Sequence, residues 1–329
     1  MSNSRINIRI LTNTFSPSGP ASLDSFKIFT EPAPTKDSLK ENQVLICTLY
    51  LSIDPYQRGR LTGAINSYVP RYEINEPIKG DIVSTLDANW ESFSVVNTTT
   101  ARKVPTDSST DARDAVTIFS LLSFTAYTGL MGVGKPKAGG TILASSVSGT
   151  VGQIVVQLGK ARSLRVIGVA GSDDKVECVK SLGADAAFNY KTCGNFVEAI
   201  KRVTPEGVDI YYDNVGGEFL DAALTSINAS ARVVVCGMIS QYNVKSTDDA
   251  YGLKNSIKTL NKAATMQGFL AGSFFGTSTE AAFMNEVGRL YKENKLKYRS
   301  HGTLGLENAS QALLDLFEGK NNGRSYVRI

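Results

Sequence analysis

Between positions 141 and 191 the chain places an apolar run, Thr141-Ile-Leu-Ala144, ahead of the turn Ser146-Val-Ser-Gly149-Thr150-Val151-Gly152. Val151, Ile154, Val155 and Leu158 then recur at i, i+3, i+4 and i+7, one apolar face of a helix. Glycines opening a helix directly after a buried strand let backbone N–H groups approach a pyrophosphate at the helix N-terminus. Ser146 stands where the first glycine of the dinucleotide fingerprint would sit, so the motif is abbreviated and, by itself, equally an ordinary strand–turn–helix. A second apolar strand, 165–170, ends in Gly171-Ser172, where a NAD site carries an acid for the ribose 2′-hydroxyl. Lys175 and Tyr190 follow instead, which points to the additional 2′-phosphate of NADPH. In isolation Lys175 reads as a solvated helix lysine; its place one turn beyond the second strand makes it a phosphate ligand.

Two further groups lie at strand ends. Asp213-Asn214-Val-Gly-Gly217 and Cys236-Gly237-Met-Ile-Ser-Gln-Tyr242 each end an apolar strand, on the edge where open α/β sheets bind ligands. Each is also a sequence that makes a tight turn unaided. Taken together they form a cleft in which Tyr242 is a phenol beside a nicotinamide, able to donate a hydrogen bond or a proton. A buried structural tyrosine is the competing reading.

Metal chemistry has little to draw on. His301 is the single histidine and reads as a surface or loop residue. Cys47, Cys178, Cys193 and Cys236 are scattered without ligand spacing. The same scatter argues for free thiols and against disulfides.

The elements that would hold these groups fall in two blocks. Up to about position 111 the pattern is short strands broken by Pro, Gly and Asn, at 5–12, 44–53, 82–85 and 93–96, an all-β region reading as a small barrel. A polar hinge leads into a helix over 115–131. Strand and helix then alternate, which predicts a parallel α/β sheet. Helices are expected at 174–182, around Phe196, Ile200 and Val203, at 218–227 and at 283–296. Strands are expected at 208–212, 232–236 and 266–271. An amphipathic helix carrying Ala309, Leu313, Leu316 and Phe317 and a strand at 325–329 close the chain, the strand returning to the N-terminal barrel. The expected division is 1–113 with 299–329, and 114–298.

The chain has 329 residues, a hydrophobic share of 42% and a formal net charge of +4. That suits two cores, gives no basic tail for nucleic acid, and contains no run long enough to cross a bilayer. The N-terminal residues lack the apolar core of a secretory signal, so the expected location is cytoplasmic.

Several segments together resemble a known family. They are Leu49-Tyr-Leu-Ser-Ile-Asp-Pro-Tyr56-Gln-Arg58-Gly-Arg60, Ala138-Gly-Gly-Thr through Gly152-Gln153, Ala170-Gly-Ser-Asp-Asp-Lys175, Phe188-Asn-Tyr-Lys191, Tyr212-Asp-Asn-Val-Gly-Gly217 and 236–243. Over nearly the whole chain they resemble the zinc-independent medium-chain dehydrogenase/reductases, nearest the alkenal double-bond reductases and leukotriene B4 dehydrogenase/prostaglandin reductases. The resemblance implies a GroES-like β-barrel catalytic domain, here shortened, with a Rossmann doubly wound parallel sheet. It implies NADPH-dependent reduction of the C=C bond of α,β-unsaturated aldehydes and ketones, and a homodimer formed through the edge strand near 266–271.

Residue by residue, it implies that Gly149, Thr150, Val151 and Gly152 hold the pyrophosphate and that Lys175 and Tyr190 recognise the 2′-phosphate. Asn214, Cys236, Gly237 and Tyr242 lie along the cofactor, and Phe269, Leu270 and Ala271 flank the nicotinamide. Asn321 opens Asn321-Asn-Gly-Arg324, which matches the family's Asn-x-Gly-Lys with Arg for Lys. Tyr56 and Tyr242 match tyrosines of the substrate cleft. Arg58 either assists Tyr56 or forms a structural ion pair. Pro77-Ile-Lys-Gly80 runs straight into Asp81-Ile-Val83 where the family inserts a glycine-rich hairpin, so a piece of the barrel is expected to be missing.

With a zinc-free site a hydroxyl must stabilise the developing enolate, Tyr242 first, then the cofactor ribose or Tyr56. Two other readings stay open: NADPH-dependent quinone reduction, and an NADPH-binding protein whose catalysis is impaired by the gap after Gly80.

Overall fold

The structure, a computed structural model, describes residues 5–65, 88–98, 111–246 and 248–329. The chain divides into two compact units, one of Met1–Ser120, Tyr242–Lys245 and Ser300–Ile329, the other of Leu121–Gln241 and Ser246–Arg299.

The first unit begins with an antiparallel pair, β1 (Ile6–Thr12) and β2 (Phe26–Pro32). Only one residue of β2 is buried, so no alternation marked it in the sequence. Next come β3 (Gln43–Cys47), β4 (Tyr50–Ser52), the short helix α1 (Gln57–Leu61) and β5 (Phe93–Asn97), which pairs antiparallel with β3. The single strand expected over 44–53 is therefore two strands in different sheets. Thr48 makes the break: its N–H donates to the Ser92 carbonyl at 3.0 Å and its hydroxyl to the Glu91 carbonyl at 2.7 Å, anchoring the chain to a loop. The expected strand at 82–85 and the gap after Gly80 lie outside the described residues.

The helix expected over 115–131 is also divided. Asp111 and Asp114 form a capping box around a tight turn, Ala112–Ala115, and the Asp114 carbonyl accepts from the N–H groups of Thr117 and Phe119, closing it. Helix α2 (Leu121–Thr128) starts afresh and widens into a π turn, Gly129–Gly134.

In the second unit strand and helix alternate: β6 (Thr141–Ala144), α3 (Thr150–Ala161), β7 (Arg165–Ala170), α4 (Asp173–Ser181), β8 (Ala186–Asn189), α5 (Phe196–Val203), β9 (Val208–Asp213), α6 (Gly217–Leu224), β10 (Ile227–Val235), α7 (Ile257–Asn261), β11 (Thr265–Gly268) and α8 (Ser278–Lys292). The strands form a six-stranded parallel sheet in the order β11-β10-β9-β6-β7-β8. That is the doubly wound order, whose direction reverses between β6 and β9. Every residue of β6 is buried, as a strand covered on both faces requires. Leu143, Ile167, Tyr211, Phe219, Leu220 and Val233 are central to the core on one side of it. The strand expected over 266–271 ends at Gly268, so Phe269–Ala271 lie beyond it, leading into a turn at Ala271–Phe274.

The chain then completes the first unit with β12 (Ser300–Leu304), α9 (Ala309–Phe317) and β13 (Arg324–Arg328). β13 lies between β12 and β4, with Val327 opposite Leu51. Ile10, Leu51, Ile53, Trp90, Leu313 and Val327 share one core. Beside it the guanidinium of Arg324, fully buried, pairs with Asp54, donates to the Ser52 hydroxyl, and donates from Nε to the Val116 carbonyl at 2.7 Å.

Candidate functional site

The C-terminal ends of β6 and β9 meet at the point where the sheet order reverses, and the residues that follow are laced together. Ser145 N–H donates to the Tyr212 carbonyl at 3.1 Å, Asn214 N–H to the Ser145 hydroxyl at 2.9 Å, and the Asn214 amide to the Ser145 carbonyl at 2.7 Å. Asp213, wholly buried, gathers the turn after β9: its Oδ1 accepts from the Tyr211 hydroxyl at 2.7 Å, Gly216 N–H at 2.9 Å and Val215 N–H at 3.0 Å. Burial raises its carboxyl above the usual range against those bonds, and Oδ2 is buried with no hydrogen-bond partner among the described residues. The sequence shows Asp213 only as one letter of a turn; its organising role needs the fold.

The turn into α3 follows β6. Val147 N–H donates to the Val169 carbonyl at 3.0 Å, and Gly149 N–H returns to the Ser146 carbonyl at 3.2 Å. Gly149 is the N-cap and no side chain caps it, which leaves the first-turn N–H groups of Thr150, Val151 and Gly152 for an anion. A Cβ on Gly152 would overlap the Val147 backbone, so this position must be glycine. Ser146 takes the left-handed conformation, φ 54°, in which glycine is usual. An uncapped helix start beneath a turn that excludes one Cβ fits the pyrophosphate of NADPH.

At the end of β7, Ser172 caps α4 by accepting from Lys175 N–H at 3.4 Å. Tyr190 N–H donates to the Ala170 carbonyl at 3.0 Å, and its exposed ring stands over Gly171, where an added Cβ would lie 3.0 Å from Cε1. Burial, and then repulsion from Lys191, hold the Lys175 ammonium below its usual range. Lys175 thus lies in the first turn of α4 and Tyr190 against Gly171 and Ala170, both in segments that follow the end of β7, and the Lys191 charge acts on Lys175.

The turn after β10 lies on the turn after β9. Cys236 and Gly237 N–H both donate to the Asp213 carbonyl, at 2.8 and 3.1 Å, Ile239 N–H to the Asn214 carbonyl at 3.3 Å and Ser240 N–H to the Val215 carbonyl at 3.1 Å. The two strand-end turns are thus a single hydrogen-bonded structure. Burial pushes the Cys236 thiol up to about 12, so it stays protonated and unreactive. Phe269 packs its ring against Gly129, where a Cβ would lie 2.6 Å from Cζ; Leu270 is exposed and Ala271 buried.

Tyr242 follows this turn directly, and residues Tyr242–Lys245 belong to the first unit. Arg58 holds that segment: Nε donates to the Asn243 side-chain oxygen at 3.0 Å and Nη1 to the Ser16 carbonyl at 2.9 Å, while Gly19 N–H donates to the Val244 carbonyl at 3.2 Å. Tyr56 is the N-cap of α1, two residues before Arg58. Asn321 is engaged locally, its amide donating to the Gly323 carbonyl at 2.8 Å. Among the described residues no group of three or more His, Cys, Asp and Glu could hold a metal ion, and no helix is long and apolar enough to cross a membrane.

Comparison with known proteins is consistent over both units. Residues 150–287 match the family model for "Zinc-binding dehydrogenase" and residues 10–100 that for "N-terminal domain of oxidoreductase". The chain is 36% identical to a 2-alkenal reductase (NADP(+)-dependent) of Nicotiana tabacum, over 88% of each chain. It is 35% identical to an NADPH-dependent curcumin reductase of Escherichia coli, over 88% of this chain and 87% of that one. Among solved structures, CurA of Vibrio vulnificus in complex with NADPH matches with a TM-score of 0.86 and 30% identity, covering 98% of both chains.

Proposed function

Because this chain belongs to the NADPH-dependent, zinc-independent branch of the medium-chain dehydrogenase/reductase family, we propose that it reduces the C=C bond of α,β-unsaturated aldehydes and ketones. The names of its relatives, a 2-alkenal reductase and a curcumin reductase among them, support that substrate class. In this reading 114–298 is the NADPH domain and 1–113 with 299–329 the catalytic domain.

Gly149, Thr150, Val151 and Gly152 would hold the pyrophosphate by backbone N–H groups, and Lys175 and Tyr190 would hold the 2′-phosphate. Asn214, Cys236 and Gly237 would line the cofactor, Phe269, Leu270 and Ala271 would flank its nicotinamide, and Asn321 would complete the set. If bound there, NADPH would supply the hydride that the β-carbon receives, and a proton from solvent would complete the reduction at the α-carbon. Tyr242 donates a hydrogen bond to the carbonyl oxygen, stabilising the enolate as charge develops, and Tyr56 lines the cleft and orients the substrate. The observation that carries this reading furthest is the bonding of the two strand-end turns, Ile239 to Asn214 and Ser240 to Val215, from which the chain leads directly to Tyr242. A cytoplasmic homodimer, paired through the exposed edge strand β11, belongs to the same proposal.

The test is NADPH consumption with a 2-alkenal, an enone, a quinone and a saturated aldehyde, repeated with NADH. Turnover of the alkenal and enone with NADPH supports the reading. Turnover confined to the quinone, or tight NADPH binding with no turnover at all, would overturn it.

A further inference from the structure

We propose that Asn189 is a positioning residue for cofactor choice: it keeps the Asp173 carboxylate off the 2′-phosphate and shapes the turn that carries Tyr190 and Lys191, favouring NADPH over NADH. This rests on the reading that Lys175 and Tyr190 receive the 2′-phosphate.

The problem it addresses is visible in the sequence. Two acids, Asp173 and Asp174, open α4 immediately after Gly171-Ser172. A carboxylate beside the adenosine ribose accepts from a bare diol but repels a phosphate of nearly two negative charges. Neither acid stands at the strand-end position that a NAD site uses, but both lie one or two residues beyond it, next to the lysine of the 2′-phosphate reading.

Asn189 sits beside the first of these acids. It ends β8 and pairs in register with Ala170, the last residue of β7. Its Nδ2 donates to Asp173 Oδ1 at 2.9 Å, and its Oδ1 accepts from Lys191 N–H at 3.0 Å. Both ends of the amide are used, so its orientation is determined by its partners. The first bond offsets part of the Asp173 charge and ties the carboxylate to the β8 side of α4. The second shapes the turn that carries Tyr190 over Gly171 and puts Lys191 next in line. Lys191 is close enough to depress the Lys175 ammonium, and two like charges gathered there are relieved by a phosphate. Neither lysine gains anything comparable from the bare hydroxyl of NADH.

The experiment measures dissociation constants for NADPH and NADH, from reduced-nicotinamide fluorescence on binding, for Asn189→Ala, Asp173→Ala and the double variant. Asn189→Ala is expected to lower the NADPH-to-NADH affinity ratio by about three- to tenfold, the scale of one partly screened charge contact, and the double variant to recover most of it. Asn189→Asp keeps the acceptor for Lys191 N–H, loses the donor for Asp173, and should lower the ratio further; it serves equally if Asn189→Ala does not fold. Equal weakening of both cofactors, an unchanged ratio, or no recovery in the double variant would overturn the proposal. Lys175→Ala separates the two layers. If it collapses the ratio while the Asn189 variants do not, only this inference fails; if it leaves the ratio intact, the 2′-phosphate reading fails and takes this inference with it.

Discussion

Arg58 Nε donates a 3.0 Å hydrogen bond to the side chain of Asn243, tying the helical turn that opens at Tyr56 to the segment that opens at Tyr242. The two candidate substrate-cleft tyrosines are thus each within two residues of one partly buried contact. Arg58 is 1% exposed and also donates to the Ser16 and Gly19 carbonyls. Among the described residues, the partners of Arg58 are a side-chain amide and carbonyl oxygens, with the Ser16 hydroxyl at 3.5 Å.

Arg58→Met should therefore do two things. It leaves buried acceptors unsatisfied and should cost about 3 kcal/mol in urea unfolding. It also releases Asn243, so kcat/KM for an enone should fall by about tenfold or more, the scale of a misplaced catalytic group. Full activity in a folded Arg58→Met protein would show that the contact does not position Tyr242.

Tyr242→Phe removes one hydroxyl and little else. Turnover should drop by about a hundredfold, as for loss of a single oxyanion donor, with NADPH affinity retained in a binding titration. A fully active variant would move the role to Tyr56 or to the cofactor ribose.

The turn before α3 offers opposite substitutions six residues apart. Gly152→Ala drives a Cβ into the Val147 backbone and should cost about 3 kcal/mol or more together with NADPH binding. Ser146→Gly relieves a left-handed serine, φ 54°, and should stabilise by about 0.5–1 kcal/mol, seen as a raised thermal midpoint.

Alkaline pH should weaken the fold through Cys236. Its thiol rises from 9.0 to about 12 on folding, so the unfolded chain gives up that proton first. The contribution is intact below pH 9, and stability should fall by up to about 1.4 kcal/mol per pH unit between there and the folded value. Tyr211 and Tyr212, both raised by burial, act with the same sign at higher pH. Cys236→Ala should flatten the slope of urea midpoint against pH across that window; an unchanged slope would place the effect elsewhere.

Asp54→Asn strands the buried Arg324 guanidinium and should cost about 3–5 kcal/mol, while Arg324→Lys, which cannot reach Asp54, Ser52 and the Val116 carbonyl together, should cost somewhat less. Equal stability of Arg324→Lys and the parent in urea would show that only the charge matters.

Much of the second unit was legible because its signals are local. Strand–helix alternation implies a parallel sheet, and the Gly149–Gly152 spacing marks the start of α3. The contacts that hold the candidate site join residues that no periodicity connects: Asn189 to Asp173 across 16 positions, Arg58 to Asn243 across 185, Arg324 to Asp54 across 270. The division of the strand at 44–53 is invisible in the sequence for a related reason. Its apolar pattern continues through Thr48, and only the distant Glu91 and Ser92 carbonyls show that the ladder stops there.

The pairing of β4 with β13 joins residues near position 50 to residues near 327, and Leu313 and Val327 pack in the same core as Ile10 and Leu51. On the ribosome, then, the sheet to which β4 belongs must wait for β13, which is translated long after it, whereas β1 and β2 can pair at once. The parallel sheet, nearly continuous in sequence, can form while that strand is still to be translated. For that interval β4 has an unmet edge and a half-built core, the state in which a nascent protein most needs a chaperone.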